Sequence, residues 1–394
     1  MITGLGFHGA LAPSARGFCE ALRAGRSAIG WMELERPRRK LPAALCTAPE
    51  ISAPAARRVL RETSVALQAS CAAALEALHA AGWSGDDCAI VAGGSNLQQR
   101  STAEAYRRFL EQPEYVNPRY AATYLDTTLV AAVSALASLR GIGFTAGGGM
   151  ASGNVALFNG WTLIRSGAAR ACLCIGAMTE LSELEIGAFA NLGALAVPEP
   201  ASDPARASRP FDAESLGFVC GEAAGAVLLE DAESASQRGA APLAELAGAA
   251  IVLDGNAGTE ASAEGEARAM RAALQAANIA PEEIDYVNAH GTGTPSGDRV
   301  ECEAIREAVG TRAVINSTKA LTAHTISAAG VVELIATIIQ MRERFVHANP
   351  HLETPIDEAL RFAGRVMQPL DIHAALSNSF SIGGINTAVA LRRA

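Results

Sequence analysis

The polar side chains best suited to chemistry begin at a histidine that follows an apolar segment. Residues 284–289 have the pattern of a buried strand, and His290 comes next, at the start of a loop rich in glycine and threonine. Catalytic residues often lie on loops that a rigid strand positions. The hydroxyls of Thr292 and Thr294 can bind an amide-rich ligand arm, and Glu301 follows in the same polar stretch. A histidine before a glycine is, taken alone, also typical of an ordinary turn.

A second polar turn occupies residues 316–327, just before an apolar helical pattern, and contains Lys319 and His324. Lys40 and Lys319 are the only lysines in a chain that otherwise uses arginine. A lysine in a motif of buried character indicates a need for a compact ammonium group. Codon bias is the alternative explanation.

Two glycine-rich turns complete the set of motifs. Residues 147–154 read Gly-Gly-Gly-Met-Ala-Ser-Gly-Asn, with Met150 at the fourth position. Residues 376–386 contain Phe380 and Ile382 and end with paired glycines before the last apolar segment. Paired glycines permit an unusual backbone turn. By itself this last signal is weak.

Taken in order, these four motifs resemble those of the β-ketoacyl-acyl-carrier-protein synthase family. The resemblance extends over nearly the whole chain, with supporting stretches at residues 2–6, 208–212 and 217–222. It implies an α/β chain with a thiolase-like fold of five αβαβα layers, built from two similar halves and assembled as a dimer.

The resemblance also implies roles for the polar residues. His290 and His324 would bind the carbonyl of a malonyl thioester and assist its decarboxylation, and Lys319 would organise charge with Glu301. Loss of carbon dioxide leaves an enolate, and two nearby imidazole donors can stabilise its oxygen. We therefore expect these four residues to form the catalytic set.

Substrate contacts are implied at two of the motifs. Thr292 and Thr294 would contact the phosphopantetheine arm of an acyl carrier protein, which is expected as the substrate carrier in place of any bound cofactor. Phe380 and Ile382 occupy the turn that is Ser-Phe-Gly-Phe-Gly-Gly in the family, where the second aromatic is a gate between the acyl and malonyl sites. Ile382 replaces that aromatic here.

The more consequential departure is Met150, which stands where the family has its nucleophilic cysteine. A thioether has no ionisable proton and cannot carry an acyl thioester. Covalent condensation of the usual kind is therefore excluded at this position, and whether the chain is an enzyme is open.

Two interpretations follow from that loss. The first is a non-condensing partner of an active ketosynthase, similar to a chain-length factor of type II polyketide or fatty-acid-like biosynthesis, in which Met150 packs or lines an acyl tunnel. The second is a malonyl-acyl-carrier-protein decarboxylase that supplies starter units, which the retained His290, His324 and Lys319 favour. We rank the decarboxylase second because a thioether cannot donate the hydrogen bonds of the glutamine found in such enzymes. Either a ketosynthase heterodimer or a homodimer is open.

Composition limits the other classes of function. The chain has 394 residues, is 49% hydrophobic and 19% charged, and carries a net charge of −9. That charge opposes nonspecific binding to nucleic acid or anionic membranes. Arg57, Arg58 and Arg61 lie on a probable helix and could meet an acidic carrier protein, although such arginines are more often a solvated face.

The eight cysteines are scattered without the paired spacing of a zinc site or a disulfide framework, so we expect no metal and a reducing cytoplasm. The N-terminus lacks the pattern of a secretion signal, and the apolar stretch 331–341 is too short to span a bilayer. A membrane location is therefore not expected.

The elements that must position these motifs alternate between strand and helix patterns, which is typical of α/β architecture. We expect strands at 2–5, 89–93, 171–176, 284–289 and 387–391, and helices at 63–81, 154–166, 265–278 and 328–341. A helix and turn in 229–242 suggests a division near residue 235, into halves 1–235 and 236–394. The halves share no obvious sequence repeat.

Overall fold

The computed structural model describes residues 1–35 and 38–394, in which strands and helices alternate. The strands are β1 Ile2–Gly9, β2 Gly30–Glu35, β3 Arg38–Ala44, β4 Ala89–Gly93, β5 Gly143–Ala146, β6 Ala171–Gly176, β7 Cys220–Gly221, β8 Ala223–Glu230, β9 Glu245–Leu253, β10 Tyr286–Asn288, β11 Val314–Asn316, β12 Phe345–Val346, β13 Arg361–Phe362, β14 Gln368–Pro369, β15 Ala374–Ser381 and β16 Ile385–Arg392. The helices are α1 Ala15–Ala24, α2 Pro54–Val59, α3 Val65–Ala80, α4 Gln99–Glu111, α5 Tyr120–Thr123, α6 Thr128–Ala137, α7 Ser152–Arg165, α8 Glu183–Asn191, α9 Ala232–Gln237, α10 Ala263–Ala277, α11 Pro295–Ala308, α12 Lys319–Thr322 and α13 Ala329–Glu343.

Two large sheets share one topology. The first has the order β1-β8-β6-β4-β5 and the second the order β13-β11-β10-β15-β16-β9. In the first, β6, β4 and β5 are parallel while β8 runs antiparallel to both β6 and β1. In the second, β15, β10 and β11 are parallel while β16 runs antiparallel to both β15 and β9. Apart from β13, the sheets match strand for strand, so the two similar halves are confirmed without a repeat in sequence.

Helices separate and cover the two sheets. α3 and α6 pack on the outer face of the first sheet, and α10 and α11 form the outer layer of the second. Between the sheets lie α7, which contacts β6 and β9, and α13, which contacts β8 and β15. All residues of α13 from Ala329 to Met341 are buried. The five-layered αβαβα arrangement is therefore confirmed, and it explains why α13 is mostly apolar and buried on every side.

The two central helices cross with their backbones almost in contact. A Cβ atom on Gly153 of α7 would stand 2.8 Å from the backbone nitrogen of Val331, and one on Gly330 of α13 would stand 2.4 Å from Oδ1 of Asn154. Only glycine leaves room for this approach. The crossing brings the turn that precedes α7 next to the turn that precedes α13.

The elements predicted from sequence are present with small shifts at their ends. α3 begins at Val65 because the side chain of Ser64 accepts a hydrogen bond from the Leu67 amide and caps the helix. Met150 lies in a 3₁₀ turn, Gly149–Ala151, that precedes α7. The strand expected over 284–289 is shorter, Tyr286–Asn288. β4 and β6 have the predicted bounds.

The two halves pack around a shared core. One buried cluster contains Phe7 and Val227 from the first half and Leu334 and Val389 from the second. The chain passes from the first large sheet to the second between Glu230, the end of β8, and Glu245, the start of β9. The division near residue 235 remains a prediction, since the halves are held together by common packing. Among the described residues, no helix is both long and apolar enough to cross a bilayer.

Candidate functional site

A single cavity of about 270 Å³ brings the separate sequence motifs together. The predicted site residues that line it come from all four motifs: Met150, His290, Thr292, Thr294, Glu301, His324, Phe380 and Ile382. Lys319 does not line the cavity and lies buried behind it, with 1% of its surface exposed. The structure therefore brings together eight of the predicted site residues from distant parts of the chain.

His324 presents an unpaired hydrogen-bond donor to this cavity. The Ile326 amide donates to Nδ1 of His324 at 3.2 Å, so Nδ1 is an acceptor and the ring proton is assigned to Nε2. That Nε2 is buried and has no hydrogen-bond partner among the described residues. A buried donor without a partner is costly, and here it faces the space where a ligand would lie.

In His290 the ring proton is also assigned to Nε2, but a different group accounts for it. Its Nδ1 lies 3.4 Å from Nζ of Lys319, and an ammonium can only donate, so Nε2 carries the proton. The rings of His290 and His324 lie 5.4 Å apart and nearly perpendicular, at 84°. Burial lowers the pKa of both histidines well below the usual range, and the Lys319 charge lowers each further. Both side chains are therefore neutral N–H donors.

The partner of Lys319 differs from the one expected. Lys319 forms its buried ion pair with Glu333 of α13 and also donates to the backbone oxygen of His290. Glu301 was expected to organise charge with this lysine. Burial raises the pKa of Glu301 overall, and the Lys319 charge does act to lower it. The direct ion pair goes to Glu333, which α13 brings onto the ammonium, while the two carboxylate oxygens of Glu301 accept the amides of His290 at 2.8 Å and Gly291 at 2.7 Å.

A second acid shapes the same loop. Asp298 of α11 accepts the amide of Gly293 at 3.1 Å and that of Phe211 at 2.7 Å. Burial raises the pKa of Asp298 to about 7, and these amide donors oppose the increase. The hydroxyls of Thr292 and Thr294 lie 2.8 Å apart at the start of α11. The loop after His290 is therefore fixed by two carboxyl groups and leaves its threonines on the cavity wall.

The Met150 turn is tied to the glycine-rich C-terminal turn. The Met150 amide donates to Oγ of Ser381 at 3.0 Å, and Oγ of Ser379 donates to the Met150 carbonyl at 3.3 Å. The Met150 side chain packs against an apolar cluster that includes Phe218 and Ile326. This turn holds an apolar group at the cavity and uses its backbone amide internally.

Comparisons with known proteins agree with this geometry. Models of the β-ketoacyl synthase N-terminal and C-terminal domains match residues 1–235 and 243–353. The chain belongs to the β-ketoacyl synthase family. It is 34% identical over 397 residues to the polyketide biosynthesis malonyl-ACP decarboxylase PksF of Bacillus subtilis (strain 168), covering 100% of this chain and 96% of that protein.

Solved structures of the family have the same fold. The ishigamide ketosynthase/chain length factor superposes with a TM-score of 0.89 at 26% identity, over 100% of this chain and 98% of that one. The AntDE:AntF complex, a type II acyl carrier protein with its ketosynthase, superposes with a TM-score of 0.87 at 26% identity and the same coverage. The thiolase-like class is thus supported by both fold and family.

In this member of the β-ketoacyl synthase family, Phe380 and Ile382 occupy different depths of the cavity. The Phe380 ring is buried, with its centroid 5.7 Å from that of His290. Ile382 is 42% exposed and lies at the turn between β15 and β16. The replaced gate residue is therefore an aliphatic side chain at the cavity mouth.

Sequence reasoning missed several members of the site. Glu333 could have been found, because a carboxylate inside an otherwise apolar helix needs a charged partner. Phe218, whose ring lies 5.5 Å from that of His324, and Ser381 carried no distinguishing signal. Glu266 on α10 also lines the cavity and was not singled out.

Proposed function

We propose that this chain is a malonyl-acyl-carrier-protein decarboxylase, which converts a malonyl thioester to an acetyl thioester and carbon dioxide. The observation that carries the proposal is the pair of neutral imidazole donors, His290 and His324, facing one cavity in which Met150 stands at the position of the family's nucleophile. This reverses the ranking expected from sequence. The objection there was that Met150 cannot donate hydrogen bonds, and the histidine pair supplies two.

The chemistry requires only those donors. When the thioester carbonyl oxygen accepts hydrogen bonds from both Nε2–H groups, the bond between the α-carbon and the carboxylate breaks and carbon dioxide leaves. The electron pair stays on the enolate, whose oxygen the two donors stabilise. A proton added to the α-carbon completes the acetyl group. The histidines keep their protons throughout, consistent with their lowered pKa values.

The cavity also disfavours a carboxylate. Of the described residues that line it, none is lysine or arginine, and the aromatic rings of Phe218 and Phe380 flank the histidines. A malonyl carboxylate there loses hydration without gaining a counter-ion, whereas neutral carbon dioxide loses little. The environment therefore lowers the barrier to decarboxylation by raising the energy of the ground state.

Met150 determines the fate of the enolate. Of the described residues that line the cavity, none is a cysteine that could hold an acyl group, and the Met150 amide is already engaged by Ser381. Condensation therefore lacks an acyl thioester at residue 150 that could donate an acyl group to the enolate, and protonation is the remaining outcome. The full-length similarity to a malonyl-ACP decarboxylase supports this assignment.

An acyl carrier protein is the proposed partner, with its phosphopantetheine arm passing Thr292 and Thr294. Four arginines surround one surface depression, namely Arg57, Arg58, Arg61 and Arg119. Such a basic patch on a chain with a net charge of −9 suits an acidic carrier. The eight free cysteines support a cytoplasmic location, where thiols stay reduced.

The test uses the purified full chain and an acyl carrier protein loaded with malonate. We expect the carrier to change from the malonyl to the acetyl form in intact-mass spectra. His324→Ala should lower the rate about 10²-fold or more, since one oxyanion donor is lost. His373→Ala, at an exposed histidine away from the cavity, is the matched control and should be unchanged. A carrier that keeps its malonyl group with the native chain would refute the proposal.

A chain-length-factor-like role is the second candidate, favoured by one observation. Eight large apolar side chains in the segment 106–142 are exposed, more than in any other stretch of this length among the described residues. Such a patch marks a subunit interface, and a ketosynthase/chain length factor has the same fold. This role predicts no decarboxylation by the chain alone, and a stable heterodimer on co-expression with a ketosynthase.

A further inference from the structure

A buried carboxyl group with no assigned partner lies in the cavity wall. Glu266 of α10 is 2% exposed and lines the same cavity as His290 and His324. Its Oε2 is buried and makes no hydrogen bond to any described residue. Native structures rarely leave such an atom unpaired without a functional reason.

The position of Glu266 follows from helix geometry. Met270 lies four residues further on α10 and so on the same face. Its sulfur is 3.4 Å from Nδ2 of Asn378, which is 3.3 Å from Oε1 of Glu301. Glu301 in turn holds the amide of His290. Glu266, Glu301 and His290 line one cavity, so Glu266 belongs to the wall that carries the histidine loop.

The groups that face Glu266 are acidic. Asp298, Glu301 and the Cys302 thiol face it from α11, and Asp254 from the segment after β9. Its charged neighbours on α10, Glu264 and Arg268, are exposed, and β15 and β16 present the amides Asn378 and Asn386. Burial first, and then Glu301, Asp254 and Asp298, raise the pKa of Glu266 well above the usual range. Burial and the neighbouring acids therefore both favour the protonated form of the Glu266 carboxyl.

The neighbouring acids are committed to other contacts. Glu301 accepts two backbone amides, and so does Asp298. Asp254 accepts Nδ2 of Asn386 at 2.6 Å. Lys319 is paired with Glu333 outside the cavity wall, and a neutral imidazole donates a hydrogen bond without acting as an acid. Glu266 is thus the buried acid whose proton is not held by another described group.

We propose that Glu266 is a catalytic residue that donates the proton to the enolate carbon after carbon dioxide leaves. The inference rests on the proposed decarboxylation. The O–H bond of the Glu266 carboxylic acid breaks as the C–H bond of the acetyl methyl group forms, and the enolate electron pair makes that bond. The Glu266 carboxylate then takes a proton from water entering the cavity.

The experiment compares Glu266→Gln with Glu264→Gln, an exposed residue on the same helix. With malonyl-loaded acyl carrier protein, Glu266→Gln should form acetyl carrier about 10²-fold more slowly, the usual contribution of a general acid. Glu264→Gln should match the native rate. The native rate should fall as pH rises and Glu266 loses its proton, and the glutamine variant should lack this alkaline decrease.

A second measurement separates a chemical role from a structural one. In ¹³C-bicarbonate, an enolate that is not protonated recaptures labelled carbon dioxide, so Glu266→Gln should return more label to the malonyl carrier than the native chain does. If circular dichroism shows that Glu266→Gln is unfolded, Glu266→Asp replaces it and should move the alkaline decrease to a different pH.

The outcomes distinguish the two proposals. A native chain that releases no carbon dioxide overturns the decarboxylase function itself. A native chain that decarboxylates, together with a folded Glu266→Gln variant of unchanged rate, pH profile and label return, overturns only the role of Glu266. An unchanged alkaline decrease in Glu266→Asp does the same.

Discussion

The site depends on which ring nitrogen of each histidine carries the proton. An amide from Ile326 and an ammonium from Lys319 occupy the two Nδ1 atoms, which directs both Nε2–H groups into the cavity. If either Nδ1 faced a hydrogen-bond acceptor instead, the ring proton would move to Nδ1 and Nε2 would become an acceptor. Burial and the nearby Lys319 charge favour the neutral state of both imidazoles.

The acid side of the pH profile tests that neutral state. The lowered pKa values mean that both imidazoles stay unprotonated as pH falls through 6.5. We expect the decarboxylation rate to hold through this pH and to decline only well below it. Initial rates between pH 5 and 8 measure this, with His373→Ala as control. A decline centred near 6.5 would mean that the histidines titrate as solvated side chains.

Restoring a thiol at residue 150 tests the turn itself. Met150→Cys should react with iodoacetamide at least ~10-fold faster than the native cysteines, because it lies at the cavity just before a helix N-terminus. Burial raises the pKa of Cys46 and of Cys220 to about 12, so those thiols stay protonated. Peptide mapping after timed alkylation identifies the site. Equal labelling of Cys46 and residue 150 would contradict the expectation.

At the scale of elements, the close crossing of α7 and α13 positions the chemistry. It sets the turn of Met150 beside the turn that follows His324, and a wider crossing would separate them. The contacts at Gly153 and Gly330 show that the two helices could not accommodate even a Cβ atom at their crossing. The site therefore depends on two glycines that do not line the cavity.

Gly153→Ala should test that crossing. Its Cβ would meet the backbone of Val331, so we expect a loss of about 1–3 kcal/mol in stability and a lower melting temperature. Gly187→Ala in α8 is the matched control, because nothing lies within 4 Å of a Cβ there. That variant should gain about 1 kcal/mol from helix propensity. Equal melting temperatures for the two variants would show that α7 can shift without cost.

At the scale of the whole molecule, the segment 106–142 carries large apolar side chains that the single chain leaves exposed. Tyr106, Leu110 and Tyr115 are more than 60% exposed and lie on α4 or just after it. Soluble chains seldom leave such a patch uncovered. A second copy or a ketosynthase subunit would cover it.

Light scattering after size exclusion tests this face. We expect the native chain to form a homodimer and to elute with twice its monomer mass. The double variant Leu110→Asp and Tyr115→Asp should elute as a monomer, because charges are buried on association. Val366→Asp, at an exposed apolar residue outside this segment, should keep the native mass. A native monomer that associates only with a ketosynthase favours the chain-length-factor-like role.

The sequence alone was sufficient for the family, the order of the motifs and the lost nucleophile. The motifs are contiguous, as in residues 147–154, so their residue types can be read directly. The alternation of strands and helices followed from hydrophobic periodicity. The thiolase-like fold came from the resemblance, and both sheets agree with it. The element ends were less accurate because caps such as Ser64 decide them locally.

Only the tertiary structure decided which residues meet. The pairing of Lys319 with Glu333, the proton positions on the two histidines and the unpaired carboxyl of Glu266 all depend on helices packed from distant parts of the chain. The Asn378 contact to Glu301 joins residues 77 positions apart. Burial and hydrogen bonding set the charge of each group, and both arise only when the layers assemble.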